Sequence, residues 1–120
     1  MPKETGLTKK LNLKEGMKVQ VEGKPSDVNL GDVAVTKSSN ADGIILFVKK
    51  LADLEDQSKT VVKAAKEDQI AWVVYPKSGQ LGTDLNRDIL WQHLLKKGIQ
   101  GVRQISIDDI WSAMRFRPAK

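Results

Sequence analysis

The sequence has no cysteine, which excludes a disulfide framework, a thiolate nucleophile and a cysteine-ligated zinc site together. It has a single histidine, His93. A general base needs a positioned partner and a metal needs several ligands, so this histidine reads as part of a helix surface. Long apolar runs are missing as well. The longest, residues 44–48 (IILFV) and 70–75 (IAWVVY), are strand-sized and far short of a bilayer span. The first ten residues, MPKETGLTKK, lack the apolar stretch of a secretory signal. Residues 1–10 read instead as a flexible basic tail ahead of one α/β domain over residues 11–120. No membrane association and a cytoplasmic location are the expectations that follow.

A concentrated basic patch is also lacking. The formal net charge is +5, but the 20 Lys and Arg residues are spread along the chain. Their excess sits at the ends, in Lys3, Lys9, Lys10, Arg115, Arg117 and Lys120. No run of five to eight basic residues occurs, and basic residues are rarely interleaved with aromatics. A solvated basic surface is therefore preferred to a nucleic-acid site. Nucleic-acid association through the basic termini is the weaker option, and its affinity would fall steeply with salt.

What is present is an alternation of strand and helix patterns. Residues 17–22 (MKVQVE) alternate like a first strand, and 32–36 (DVAVT) like a short second one. Between them, Gly23, Pro25 and Ser26 break the chain and leave no room for a crossover helix. Residues 44–48 and 70–75 are apolar on both faces, as strands buried on two sides are. Residues 51–66 place Leu51, Leu54, Val61, Val62 and Ala65 at helical spacing, with acids early and lysines late to suit the helix dipole. Thr83 or Asp84 is expected to cap a second helix running to about Lys97, with Leu85, Ile89, Leu90, Leu94 and Leu95 as its core stripe. Gly98 is the expected glycine stop. Residues 102–107 and 110–117 read as final strands joined by an Asp108-Asp109 turn.

This order predicts an α/β fold with a mostly parallel open sheet and an antiparallel last strand. Two right-handed crossovers advancing the same way put both helices on one face. The other face also needs cover, either from the N-terminal segment or from a second copy in a homodimer.

The arrangement resembles the C-terminal half of a class I methyltransferase-like Rossmann fold, in truncated form. YPK at residues 75–77, TDLNRD at 83–88 and SIDDIWSAMRFRP at 106–118 are similar to motifs of a small bacterial family known only as a domain of unknown function. Residues 11–16 and 42–48 fit the same pattern, and this chain is shorter between Gly23 and Gly31. The resemblance implies a fold and no activity. A methyltransferase cofactor would need a glycine-rich loop after strand one and an acid after strand two. Here Gly23-Lys24-Pro25-Ser26 has no G-x-G, Pro25 removes a donor, and strand two ends in Thr36-Lys37. No cofactor is expected.

The favoured function is thus a non-catalytic binding or interaction module that self-associates. The alternative is a small-anion or nucleotide binder in the loop at residues 77–87, at the carboxyl edge of its strand. Lys77, Ser78, Gly79, Thr83 and Arg87 are its candidate ligand-binding residues. The plainer reading is that Thr83 and Asp84 cap, Lys77 is solvated and Arg87 pairs with Asp84 or Asp88. Arg115 and Arg117 share a strand face. They offer either salt bridges to Asp108, Asp109 or a partner subunit, or a two-arginine anion contact. Adjacent Asp108 and Asp109 read as turn caps before an acid/base pair. Trp72, Trp91 and Trp111 read as core or interface anchors.

Overall fold

The structure is a computed structural model that describes residues 11, 17–24, 35–36, 41–77, 82–107 and 110–119. The expected tail at 1–10, most of the second strand, the loop residues Ser78 and Gly79, and the Asp108-Asp109 turn lie outside the described residues.

Among the described residues, eight elements follow in chain order. They are β1 (Val19–Glu22), β2 (Gly43–Phe47), α1 (Leu51–Gln57), α2 (Lys59–Lys66), β3 (Ile70–Pro76), α3 (Arg87–Leu95), β4 (Ile99–Ser106) and β5 (Trp111–Pro118). The strands form one open mixed sheet in the order β1-β2-β3-β5-β4. β1, β2 and β3 run parallel, while β5 is antiparallel to both of its neighbours, β3 and β4. Outside β1, Val35 makes a single parallel bridge to Val19, and the Thr36 amide donates to the Val19 carbonyl at 2.8 Å. That bridge is the described part of the expected second strand.

Every residue of β2 and β3 is buried, as their unbroken apolar runs require. Both crossovers place their helices on one face, where Ile44, Leu46, Val73 and Phe116 meet Leu54, Val61, Leu90 and Leu94. The opposite face carries Ile45, Phe47, Trp72, Val74 and Trp111, with Phe47 and Trp111 in edge-to-face contact at 5.5 Å. Leu11 helps to cover it. Leu11 is fully buried in this second cluster, and its carbonyl accepts from the Trp72 indole Nε1 at 3.1 Å. The N-terminal segment therefore supplies at least part of the covering layer.

Four expectations need correction. The single helix over 51–66 is two helices meeting at Ser58, which is 1% exposed. Serine disfavours helix interiors, and Ser58 keeps helical backbone angles, so Leu54, Val61 and Ala65 stay on one buried face across the junction. The second helix starts later than expected, with Asn86 as its cap accepting from the Ile89 amide at 2.9 Å. Its stripe is consequently narrower. Leu90 and Leu94 are fully buried, whereas Ile89 and Leu95, each about a hundred degrees round the helix from one of them, are 38% and 45% exposed. Finally, β4 starts three residues early, directly after Gly98. That glycine takes φ +96, a conformation suited to residues without Cβ, and donates to the Leu95 carbonyl at 3.0 Å.

Candidate functional site

The carboxyl end of β3 meets the start of the antiparallel β5, so chain reversal brings three strands to one place. Tyr75 pairs with Ser112, Ser112 pairs with Ser106, and Gln104 pairs with Met114. Directly opposed residues share a face, so these polar side chains all stand on the helix side. The first residues of α3 lie above them. Between the two layers is a cavity of about 420 Å³ lined by Tyr75, Lys77, Asn86, Arg87, Asp88, Gln104 and Ser112. Its volume falls in the usual range for small-molecule sites.

Hydrogen bonds organise the cavity. The Lys77 ammonium donates to the Ser106 hydroxyl at 2.9 Å, which holds a cation at the rim. Gln104 Nε2 donates to the Tyr75 hydroxyl at 2.9 Å. Tyr75 is 2% exposed, and burial raises its phenol above the usual range, outweighing the nearby Arg87. The phenol therefore stays neutral at pH 7. Its oxygen is occupied as an acceptor, and its own proton is left to donate. Arg87 and Asp88 form a 3.5 Å ion pair with both side chains mostly in solvent. Such a pair contributes little to stability and opens readily.

The cavity continues toward the sheet edge. Arg87 and Gln104 also line a smaller groove of about 240 Å³ with Trp91, Gly101, Val102, Arg103 and Met114. Trp91 is 38% exposed, unlike Trp72 and Trp111 at 0% and 3%. Val102 stands out of register at a bulge between Gly101 and Arg103 and is 47% exposed. Met114 packs over Gly101 beside it, where a Cβ would lie 2.6 Å from Met114 Sδ and displace that side chain.

Of the residues expected from sequence, Lys77 and Arg87 come together in this cavity. Thr83 does not. Its hydroxyl donates to the Lys49 carbonyl and accepts from the Leu85 amide, so it fastens the loop to the start of α1. Asp84 likewise caps the neighbouring helix, accepting from the Leu51 amide at 2.9 Å. Arg115 is not in the cavity either. It pairs in register with Trp72 and Arg103, on the opposite face of the sheet. Arg117 binds Asp68 through two hydrogen bonds of 2.9 and 3.1 Å, and Asp108 and Asp109 lie outside the described residues. Ser78 and Gly79 lie outside the described residues.

Tyr75, Asn86, Gln104, Ser106 and Ser112 complete the site and were not legible as candidates. Strand alternation across β4 and β5 is the signal that carries them, and it becomes readable only once both are known to pair beside β3. His93 sits on α3 away from the cavity lining. Burial, helped by Lys97, lowers its pKa from the ordinary imidazole range, and its Nε2 is buried without a hydrogen-bond partner. Among the described residues, no three acid, histidine or cysteine side chains group into a metal site, and no helix is long and apolar enough to cross a membrane.

No protein-family model matches the chain, and no curated protein matches it significantly.

Proposed function

We propose that this chain is a non-catalytic binding module of truncated methyltransferase-like fold whose ligand is a small anion or nucleotide. The observation that carries this is the convergence of Lys77, Arg87, Tyr75, Gln104 and Ser112 on one cavity at the carboxyl edge of the sheet. Two cations and a neutral phenol donor suit a carboxylate or phosphate. Asp88 suits a hydroxyl or amine of the same ligand, because a carboxylate accepts such donors. The groove beside Trp91 suits a flat apolar group next to the charge.

The fold assignment is supported by the sheet order, in which the last strand inserts antiparallel between β3 and β4. The motifs YPK, TDLNRD and SIDDIWSAMRFRP support kinship with the bacterial family of unknown function. The exit from β1 speaks against the usual cofactor loop there. Gly23, at φ +75, passes so close to β2 that a Cβ would lie 2.5 Å from the Phe47 carbonyl oxygen.

A thermal-shift screen with phosphate, nucleotides and aromatic carboxylates tests this reading on the wild type, Lys77→Ala and Arg87→Ala. Ligand at a hundred times its dissociation constant stabilises by about 2.7 kcal/mol. The expected result is a saturable rise for at least one anion that both variants lose. A flat response across the panel would remove the binder reading.

A second reading is favoured by one observation. Trp91, Leu95 and Val102 are exposed beside β4, which is an edge strand. Self-association there would cover apolar surface and an open edge together. Sedimentation of the wild type and Val102→Lys over a wide concentration range decides it. A dimer weakened by the lysine supports it, and a monomer throughout rejects it.

A further inference from the structure

The antiparallel end of the sheet has a second face, opposite the cavity, and Arg103 stands at the sheet edge between them, since it also lines the groove beside Trp91. On it, Arg103 of β4 and Arg115 of β5 are direct register partners, and Arg115 is in turn the partner of Trp72. Like charges directly opposed on neighbouring strands repel at close quarters. Arg117 shares the same face two residues along, but its charge is answered by Asp68 through a two-bond contact. Asp68 is held where α2 ends, at φ 60, with its amide donating to the Ala65 carbonyl at 3.0 Å and that of Gln69 to the Ala64 carbonyl at 2.9 Å. Among the described residues, nothing comparable serves Arg115. Its Nε is buried without a hydrogen-bond partner, and burial, Arg117 and Arg103 together lower its pKa, with only Asp68 opposing them. Among the described residues the cluster thus holds three guanidinium groups and one carboxylate, and two positive charges remain unanswered.

We propose that Arg103 and Arg115 form a binding site for a phosphate-class dianion on the sheet face opposite the cavity. The charge count calls for two negative charges on one group. Guanidinium donors are fixed in a planar fork that matches phosphate oxygens, so a phosphoryl group placed between the two side chains takes bonds from both. Arg103 is exposed on the edge strand while Arg115 is half-buried, so the ligand enters from the solvent side and is anchored from within. The phosphoryl group belongs either to free phosphate or to a larger phosphomonoester.

Calorimetric titration with inorganic phosphate and with phenyl phosphate at constant ionic strength tests the site, using the wild type, Arg103→Glu, Arg115→Gln and Arg87→Ala. Urea unfolding in chloride buffer accompanies it. The site predicts saturable binding to the wild type and to Arg87→Ala, and at least tenfold weaker binding to Arg103→Glu and Arg115→Gln. It also predicts a higher unfolding midpoint for Arg103→Glu in chloride, because an ion pair replaces two opposed cations. Binding of both compounds assigns the site to the phosphoryl group alone. Binding of phenyl phosphate only assigns it to a phosphomonoester. Binding retained by Arg103→Glu but lost in Arg87→Ala would place the anion in the cavity and overturn this site. Absence of binding to the wild type, or a lowered midpoint for Arg103→Glu, would also overturn it.

Discussion

The two halves of the sheet divide the work of the molecule. β1, β2 and β3 are parallel, and β2 and β3 are buried along their whole lengths. β4 and β5 are antiparallel and mix buried with exposed positions, including Gln104, Ser106, Ser112 and Arg103. A parallel strand flanked on both faces has no room for polar side chains. An antiparallel strand reversed beside it brings its beginning to the carboxyl end of its neighbour. Polar residues at the start of β5 and the end of β4 thereby reach the edge where α3 begins. The buried core runs along the first half, and the polar cavity gathers where the end of β3 meets β4, β5 and the start of α3.

Substitutions should separate the buried interior from the polar end by size of effect. Trp72→Ala removes a fully buried indole and its bond to the Leu11 carbonyl. It should cost about 3–5 kcal/mol, read from the urea midpoint. Tyr75→Phe, at the polar end, keeps the ring and loses one hydrogen bond from Gln104. It should cost about 1 kcal/mol while abolishing most ligand affinity. If Tyr75→Phe proved as destabilising as Trp72→Ala, the contrast between the buried interior and the polar end of the sheet would fail. Asp84→Ala probes the joint between them, since Asp84 caps α1 from the loop before α3. A cost of about 1 kcal/mol is expected, with faster amide exchange in α1 and unchanged exchange in α3.

The smallest effect is expected from pH. The folded-state pKa of His93 lies below its unfolded value because burial disfavours the charged ring. The unfolded chain then binds more protons, so stability rises with pH through this window. The contribution is present above the ordinary imidazole range and is lost as pH falls through about 6.5 toward the lowered value. Thermal midpoints of the wild type and His93→Gln between pH 5 and 8 should converge at the acid end. Parallel curves would remove the buried-imidazole account.

The parallel half was largely legible from the chain. IILFV and IAWVVY are unbroken apolar runs, and only a strand covered on both faces needs them. The start of α3 was misread because TDLNRD offers three residues able to cap. Thr83 and Asp84 are occupied by the segment at Lys49–Leu51, a contact that no local pattern encodes. Two of the seven residues lining the cavity, Lys77 and Arg87, were visible because they flank one loop. Gln104, Ser106 and Ser112 were hidden because their face depends on register across two strand pairs. The same dependence separates Arg115 from the cavity, because its partner Trp72 fixes it on the far side of the sheet.

The central claim is that the cavity between α3 and the sheet end holds a small anion, and fluorescence tests it most directly. Trp72 and Trp111 are buried, so a change on ligand addition reports Trp91 in the adjoining groove. Adenosine monophosphate is titrated into the wild type, Lys77→Ala and Trp91→Phe, with adenosine as the uncharged control. The account predicts a saturable change with the nucleotide in the wild type alone, and none with adenosine. An equal response from Lys77→Ala, or from adenosine, would contradict an anion held at Lys77 and Arg87.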